Sequence, residues 1–98
     1  MNRKTEFTEL TKILKALGNE KRLQIIQYLA SHSSCITGSI VDEIDLAQST
    51  TSQHLRVLKN AGIIKGTIEG TSTCYCLDKE YLKISLERIG QLKEDLNL

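Results

Sequence analysis

The sequence predicts one mainly helical domain of the α+β class, in which four helices are followed by a β-hairpin and a last helix. Over most of the 98 residues, apolar side chains recur every three or four positions, which is the period of a helix. Between residues 63 and 77 this period gives way to a β-branched stretch, a Gly-Thr-Ser turn and a second short apolar stretch, which indicates a hairpin. A chain of this length makes one domain, so residues 1–98 are predicted to fold together.

The first two helices are predicted from apolar spacing and from the residues at their ends. The first helix covers about 5–17, and Gly18 after it is a common helix stop. Asn19 is a suitable N-cap for the second helix, because its side chain can accept hydrogen bonds from the free N–H groups of the first turn. The second helix ends near Ser31, where a polar stretch begins.

A helix-turn-helix is predicted over about 38–60. A short helix covers Gly38–Ile44, a tight connection follows at Leu46–Gln48, and a second helix covers Thr50–Asn60. The pair Ala61-Gly62 ends this second helix, because glycine tolerates the positive φ that a helix stop requires.

A wing and a last helix complete the predicted domain. The wing is the hairpin at about 63–77, and Asp78 is a suitable cap for a last helix over about 79–95. The helices at 5–17 and 79–95 both carry an apolar stripe, and a domain of this size has a limited core to receive both. We therefore expect at least one of these stripes to help form the interface of a homodimer.

This order of elements is the plan of a winged helix-turn-helix, whose second helix enters the major groove of duplex DNA. That helix is polar on its leading side, while Leu55 and Leu58 are predicted to face the core. The net charge is only +1, but no acidic residue occurs between Leu46 and Gly66. The predicted DNA contacts are Gln48, Ser49, Thr50, Thr51, Ser52, Gln53, His54 and Arg56, with Lys59 and Lys65 nearer the phosphates.

Two stretches resemble a known family. They are LKALGNEKRLQIIQYL at 14–29 and LAQSTTSQHLRVLKNAGII at 46–64, and they resemble the ArsR/SmtB family of arsenic- and metal-responsive repressors. The resemblance extends over nearly the whole chain and is most specific at 49–63. It implies a homodimer built on the first and last helices, a recognition helix at Thr50–Asn60 and a wing at Ile63–Leu77. It also implies a repressor of transcription that a ligand releases from its operator.

Three cysteines are the candidate effector site. Metal-responsive relatives carry a Cys-x-Cys pair near the position of Cys35, but Thr37 stands where the second cysteine would be, and the last helix has no histidine ligands. Cys74 and Cys76 share one face of a strand, and with Cys35 they can form a three-thiolate site for trivalent arsenic or a soft metal ion. Two alternatives stay open: reversible oxidation or persulfidation of these thiols, and cysteines that serve only as small buried apolar residues.

Other classes of protein are disfavoured. Paired carboxylates, a Ser-His-Asp set and a Gly-rich phosphate loop do not stand out, so the sequence predicts no enzyme and no required cofactor. His54 lacks a second ligand at metal spacing and is expected to contact DNA or to pack between helices. A winged-helix protein-interaction module is the alternative outside this class, and it predicts weak DNA binding that is insensitive to salt. No apolar run is long enough to span a membrane, so a cytoplasmic protein is expected.

Overall fold

The computed structural model describes residues 3–31, 36–37, 48–67 and 74–98. Within these ranges the chain forms four helices and three strands. In chain order they are α1 (Arg3–Leu17), α2 (Glu20–Ala30), β1 (Ile36–Thr37), α3 (Gln48–Asn60), β2 (Ile64–Thr67), β3 (Cys74–Leu77) and α4 (Lys79–Asp95). The short helix predicted over Gly38–Ile44 lies outside the described residues.

The predicted α+β class and the order of the described elements are confirmed. Two details differ from the prediction. Helix α3 begins at Gln48, so Gln48 belongs to the helix and not to the connection before it. A third strand, β1, pairs antiparallel with β3 and makes a sheet of order β1-β3-β2, with Ile36 opposite Tyr75. A strand of two residues has no period to detect, which is why the sequence predicted only the hairpin.

Side-chain caps define where two of the helices begin. The Asn19 side-chain oxygen accepts hydrogen bonds from the N–H groups of Lys21 at 3.0 Å and Arg22 at 3.2 Å. The Asp78 carboxylate accepts one from the N–H of Tyr81 at 3.1 Å. Both predicted caps are therefore confirmed, and they orient α2 and α4 by local chemistry.

The junction between α3 and the wing is a Schellman motif around Gly62. Gly62 has a φ of 86°, and its N–H donates to the carbonyl of Lys59 at 2.9 Å. The N–H of Ile63 donates to the carbonyl of Leu58 at 3.0 Å, and both of these side chains are fully buried. This pattern of two hydrogen bonds and one apolar contact ends the helix and turns the chain into β2.

One apolar core holds α1, α2, α3 and the sheet together. Its members are Ile13, Ala16, Ile25, Leu29, Leu55, Leu58, Ala61, Ile63, Ile64, Tyr75 and Leu77. Helix α4 packs on this core through the partly buried Tyr81, Leu82 and Ile89 and through the buried Ser85, whose hydroxyl donates to the Tyr81 carbonyl at 2.8 Å. Among the described residues, no helix is long and apolar enough to cross a membrane.

Candidate nucleic-acid interface

Helix α3 is divided into a buried side and an exposed side by its apolar spacing. Leu55 and Leu58 are 5% and 0% exposed, as the sequence predicted, and they fix the rotation of the helix about its axis. Gln53, Arg56 and Lys59 follow one another at intervals of three residues and are all exposed. We call these three residues the exposed face of α3, and they can meet a ligand without any movement of the core.

The other predicted contacts on α3 are distributed over its first two turns. Thr50 and Ser52 are partly exposed, so their hydroxyl groups are within reach of a ligand on this side. Gln48 and Ser49 lie in the first turn of the helix, where only their backbone is described. The N-terminal end of α3 is therefore the end at which most of the predicted contacts gather.

Thr51 departs from the prediction. Its side chain is 2% exposed, because it lies one helical turn before Leu55 and shares the buried side with that residue. Its hydroxyl oxygen has no hydrogen-bond partner among the described residues. Thr51 is a core residue of α3, and its side chain is not exposed for contact with DNA while the helix keeps this rotation. The sequence did not indicate this burial, because Thr51 stands in a run of polar residues. Its side chain is nevertheless small enough to pack in the core.

Arg22 connects three helices behind the exposed face. Its Nε donates to the carbonyl of Ala16 at 2.7 Å, and its Nη2 donates to the carbonyl of Lys15 at 3.0 Å. These carbonyls belong to the last turn of α1, where acceptors have no partner within the helix and carry partial negative charge. The Nη1 atom of the same guanidinium lies 3.2 Å from Nδ1 of His54 on α3.

The contact with Arg22 defines the protonation state of His54. Arginine only donates hydrogen bonds, so Nδ1 of His54 is the acceptor and the proton of the neutral ring resides on Nε2. Burial and the positive charge of Arg22 both lower the pKa of His54 from its ordinary value of 6.5. Sequence reasoning gave His54 two possible roles, contact with DNA or packing between helices, but missed Arg22, whose only signal was the Gly-Asn-x-x-Arg-Leu stretch at 18–23.

The wing carries one predicted contact and one half-buried cysteine. Lys65 is exposed on β2, where its backbone partner on β3 is Cys76. Cys76 is disulfide-bonded, and Cys74 lies on the same strand with only its backbone described. Cys35 lies outside the described residues. A sulfur in a disulfide has no thiolate to offer a metal, so the predicted three-thiolate site requires a reduced form of the protein.

Comparison with known proteins identifies the family. Residues 19–65, which hold α2, α3 and the start of the wing, match the family described as bacterial regulatory protein, arsR family. The arsenical resistance operon repressor of Bacillus subtilis is 30% identical over 82 residues, which are 84% of this chain and 72% of that protein. The chain belongs to the arsR family.

Two further relatives agree with membership of the arsR family. An uncharacterized HTH-type transcriptional regulator of Methanocaldococcus jannaschii is 34% identical over 89% of this chain and 98% of its own length. The structure of HlyU from Vibrio cholerae superposes with a TM-score of 0.67 at 29% identity and covers 94% of this chain and 97% of that chain. The protein is therefore a DNA-binding transcription regulator and not an enzyme.

Proposed function

We propose that this regulator is a repressor that binds operator DNA as a homodimer in the cytoplasm, with α3 in the major groove. The observation that carries the proposal is the exposed face of α3, a row of one amide and two cations on a helix whose opposite side is locked into the core. A dimer presents two such helices, and it would bind a roughly palindromic site whose half-sites lie about one helical turn apart. An occupied operator then blocks transcription.

Each side chain of the proposed interface has a chemical role. Gln53 can form two hydrogen bonds with an adenine edge, and Arg56 can form two with a guanine edge. Lys59 and Lys65 supply phosphate contacts, which raise affinity for any sequence and make it depend on salt. The hydroxyl groups of Thr50 and Ser52 can bind phosphates or bases, and Gln48, Ser49 and His54 remain in the proposed set.

The homodimer proposal rests on apolar surface along α1 and α4. Phe7 on α1 is 52% exposed, and on α4 Ile84 and Leu86 are 47% and 50% exposed. A cleft between the two helices is lined by Phe7, Leu10 and Leu92 together with polar side chains of α4. A second copy of the chain would remove these apolar side chains from water, and their burial would stabilise the dimer.

Fluorescence anisotropy with the protein's own promoter DNA tests the repressor proposal. Arg56→Ala should weaken specific binding by about 10- to 100-fold, because one bidentate base contact is worth roughly 1–3 kcal/mol. Lys59→Ala should weaken specific and random DNA alike and reduce the salt slope by about 1. Lys83→Ala, which removes an exposed cation from α4, is the matched control and should bind as the wild type does. Weak binding that is insensitive to salt would instead support the protein-interaction module.

The effector is proposed to act on the cysteines. The first candidate is trivalent arsenic or a soft metal ion bound by Cys35, Cys74 and Cys76, which would release the DNA. The disulfide at Cys76 favours a second candidate, reversible oxidation, in which two thiols and one hydrogen peroxide give one disulfide and two water molecules.

Cys74 is a poor partner for Cys76 in this disulfide. The Cβ atoms of residues two apart on a strand are about 6.6 Å apart, whereas the two Cβ atoms of a disulfide lie about 3.5–4.5 Å apart. The oxidation candidate therefore depends on Cys76 and not on a bond between Cys74 and Cys76.

DNA binding by the reduced and the oxidised protein distinguishes the effector candidates. Under the oxidation candidate, peroxide should change the affinity for operator DNA at least about tenfold, Cys76→Ser should abolish the response, and Cys74→Ser should keep it. Under the metal candidate, arsenite should release DNA from the reduced wild type, and both Cys74→Ser and Cys76→Ser should lose that release. A repressor that responds to neither reagent would be independent of thiol chemistry, and peptide mapping without reductant identifies the partner of Cys76.

A further inference from the structure

We propose that Arg22 is a positioning residue for DNA recognition, because it holds His54 and thereby sets how α3 is presented to the major groove. This inference rests on the proposed function of α3 and adds a residue that lies outside the predicted DNA contacts. Arg22 is partly buried and lies on α2, and it acts through His54.

The geometry makes Arg22 a link between a rigid scaffold and the recognition helix. Its backbone N–H is held by the Asn19 cap at 3.2 Å, so the side chain starts from a fixed helical turn. Two of its guanidinium nitrogens then donate to the carbonyls of Lys15 and Ala16 at the end of α1. These hydrogen bonds fix the position of the guanidinium relative to α1 and α2. Its remaining nitrogen, Nη1, contacts His54 and so holds α3 at a defined position against these two helices.

The contact with Arg22 depends on a neutral His54. When His54 is protonated, Nδ1 becomes a donor and the ring becomes a cation, so it faces the guanidinium donor with no lone pair and with like charge. The ring must then leave Arg22. His54 is adjacent in sequence to Gln53 and lies two residues before Arg56. Its displacement therefore shifts these two residues of the exposed face of α3.

The surroundings of His54 offer little that would stabilise its protonated form. Among the residues whose side chains are described, the elements that pack on α3 carry these charged groups: Glu9, Lys12 and Lys15 on α1, Glu20, Lys21 and Arg22 on α2, and Lys65 on β2. On its own helix α3 carries Arg56 and Lys59. Lys12 and Lys15 border α3 beside Val57 and Asn60, and Arg22 is the charge that acts on His54. The local field is therefore positive and resists protonation.

This link predicts a pH dependence opposite to that of a simple DNA-binding histidine. A histidine that only met phosphates would strengthen DNA binding when it became charged. If Arg22 positions α3 through neutral His54, the affinity for operator DNA should fall roughly tenfold as the pH drops from 7.5 toward about 5. The affinity for random DNA, which depends mainly on phosphate contacts, should not fall in parallel.

Two substitutions and one control separate positioning from general stability. His54→Gln keeps a neutral acceptor for Arg22 and does not titrate, so operator binding by this variant should lose most of its pH dependence. Arg22→Gln should weaken operator binding and also flatten the pH profile, because His54 no longer loses a partner on protonation. His32→Gln, which removes the other histidine, should leave the profile unchanged. Circular dichroism at each pH verifies that every variant is folded.

A direct reading of the His54 ring by nitrogen NMR keeps the inference testable if Arg22→Gln does not fold. In the wild type at neutral pH the spectrum should show the proton on Nε2 of His54, and a proton on Nδ1 would overturn the proposal. An operator affinity that rises on acidification, or a His54→Gln variant that keeps the pH profile, would also overturn it. Failure of every form to bind DNA would refute the proposed function instead, and the NMR result would still decide whether Arg22 holds His54.

Discussion

Gly62→Ala tests the joint between the recognition helix and the wing. Gly62 has a φ of 86°, in the left-handed region, and this conformation lets two successive N–H groups cap the end of α3. The same glycine lies against the ring of Tyr81, so that α4 packs on the joint. Any Cβ at this position would meet the Tyr81 Cε2 atom at 2.9 Å, which is closer than real Cβ contacts allow.

Both effects add to the free-energy cost of the substitution. A left-handed backbone costs an L-residue roughly 1–2 kcal/mol, and overpacking against a ring adds about 1–3 kcal/mol. Gly62→Ala should therefore destabilise the domain by about 2–5 kcal/mol, a large part of the roughly 5–15 kcal/mol that holds a domain folded. For a domain of this size each kcal/mol lowers Tm by about 4–8 °C, so a decrease of at least about 8 °C is expected.

Thermal unfolding followed by circular dichroism, at one protein concentration throughout, measures this effect. Gly90→Ala is the matched control, because a Cβ at Gly90 on α4 meets nothing within 4 Å and a helical glycine gains about 0.5–1 kcal/mol from the change. Gly62→Ala in a Tyr81→Leu background should show a smaller decrease than in the wild-type background. If Gly62→Ala unfolds within about 2 °C of the wild type, the joint does not depend on the left-handed glycine.

Three further predictions concern the caps, the core and pH. Thr51→Val should be neutral or stabilise the protein by up to about 1 kcal/mol in urea unfolding, because it removes a buried hydroxyl without a described partner. Its affinity for operator DNA should stay within about twofold of the wild type. A large loss of DNA binding would restore Thr51 as a contact. Asn19→Ala should lower the free energy of unfolding by about 1 kcal/mol through loss of two accepted hydrogen bonds, and an unchanged value would show that the cap contributes nothing. The lowered pKa of His54 means that the unfolded chain takes up a proton below pH 6.5 where the folded chain does not. The contribution of His54 to the free energy of unfolding should therefore be full above that pH and decrease below it. In urea unfolding at about pH 7.5 and 5.5, His54→Gln should show a smaller pH dependence of this free energy than the wild type.

Much of the fold was predictable because its signals are local. Apolar residues at helical spacing predict the helices. The N-caps of α2 and α4 are Asn19 and Asp78, whose side chains accept hydrogen bonds from N–H groups two or three residues away. Gly62 ends α3 for an equally local reason. The same periodicity predicted that Leu55 and Leu58 would be buried, and it thereby indicated where the exposed face of the recognition helix lies.

The rest of the site depends on which distant residues meet. The polar character of Thr51 gave no sign that packing would bury it, and a two-residue strand such as β1 exists only because β3 offers a partner. Arg22 and His54 are 32 positions apart, and neither residue alone indicates that their side chains touch. The sequence by itself determined the order of the described helices and the hairpin, the caps at Asn19 and Asp78, and the family of the protein. Only the tertiary structure decided how α1, α2 and α3 share one guanidinium, because such a contact arises from the packing of whole helices and leaves no periodic pattern in the chain.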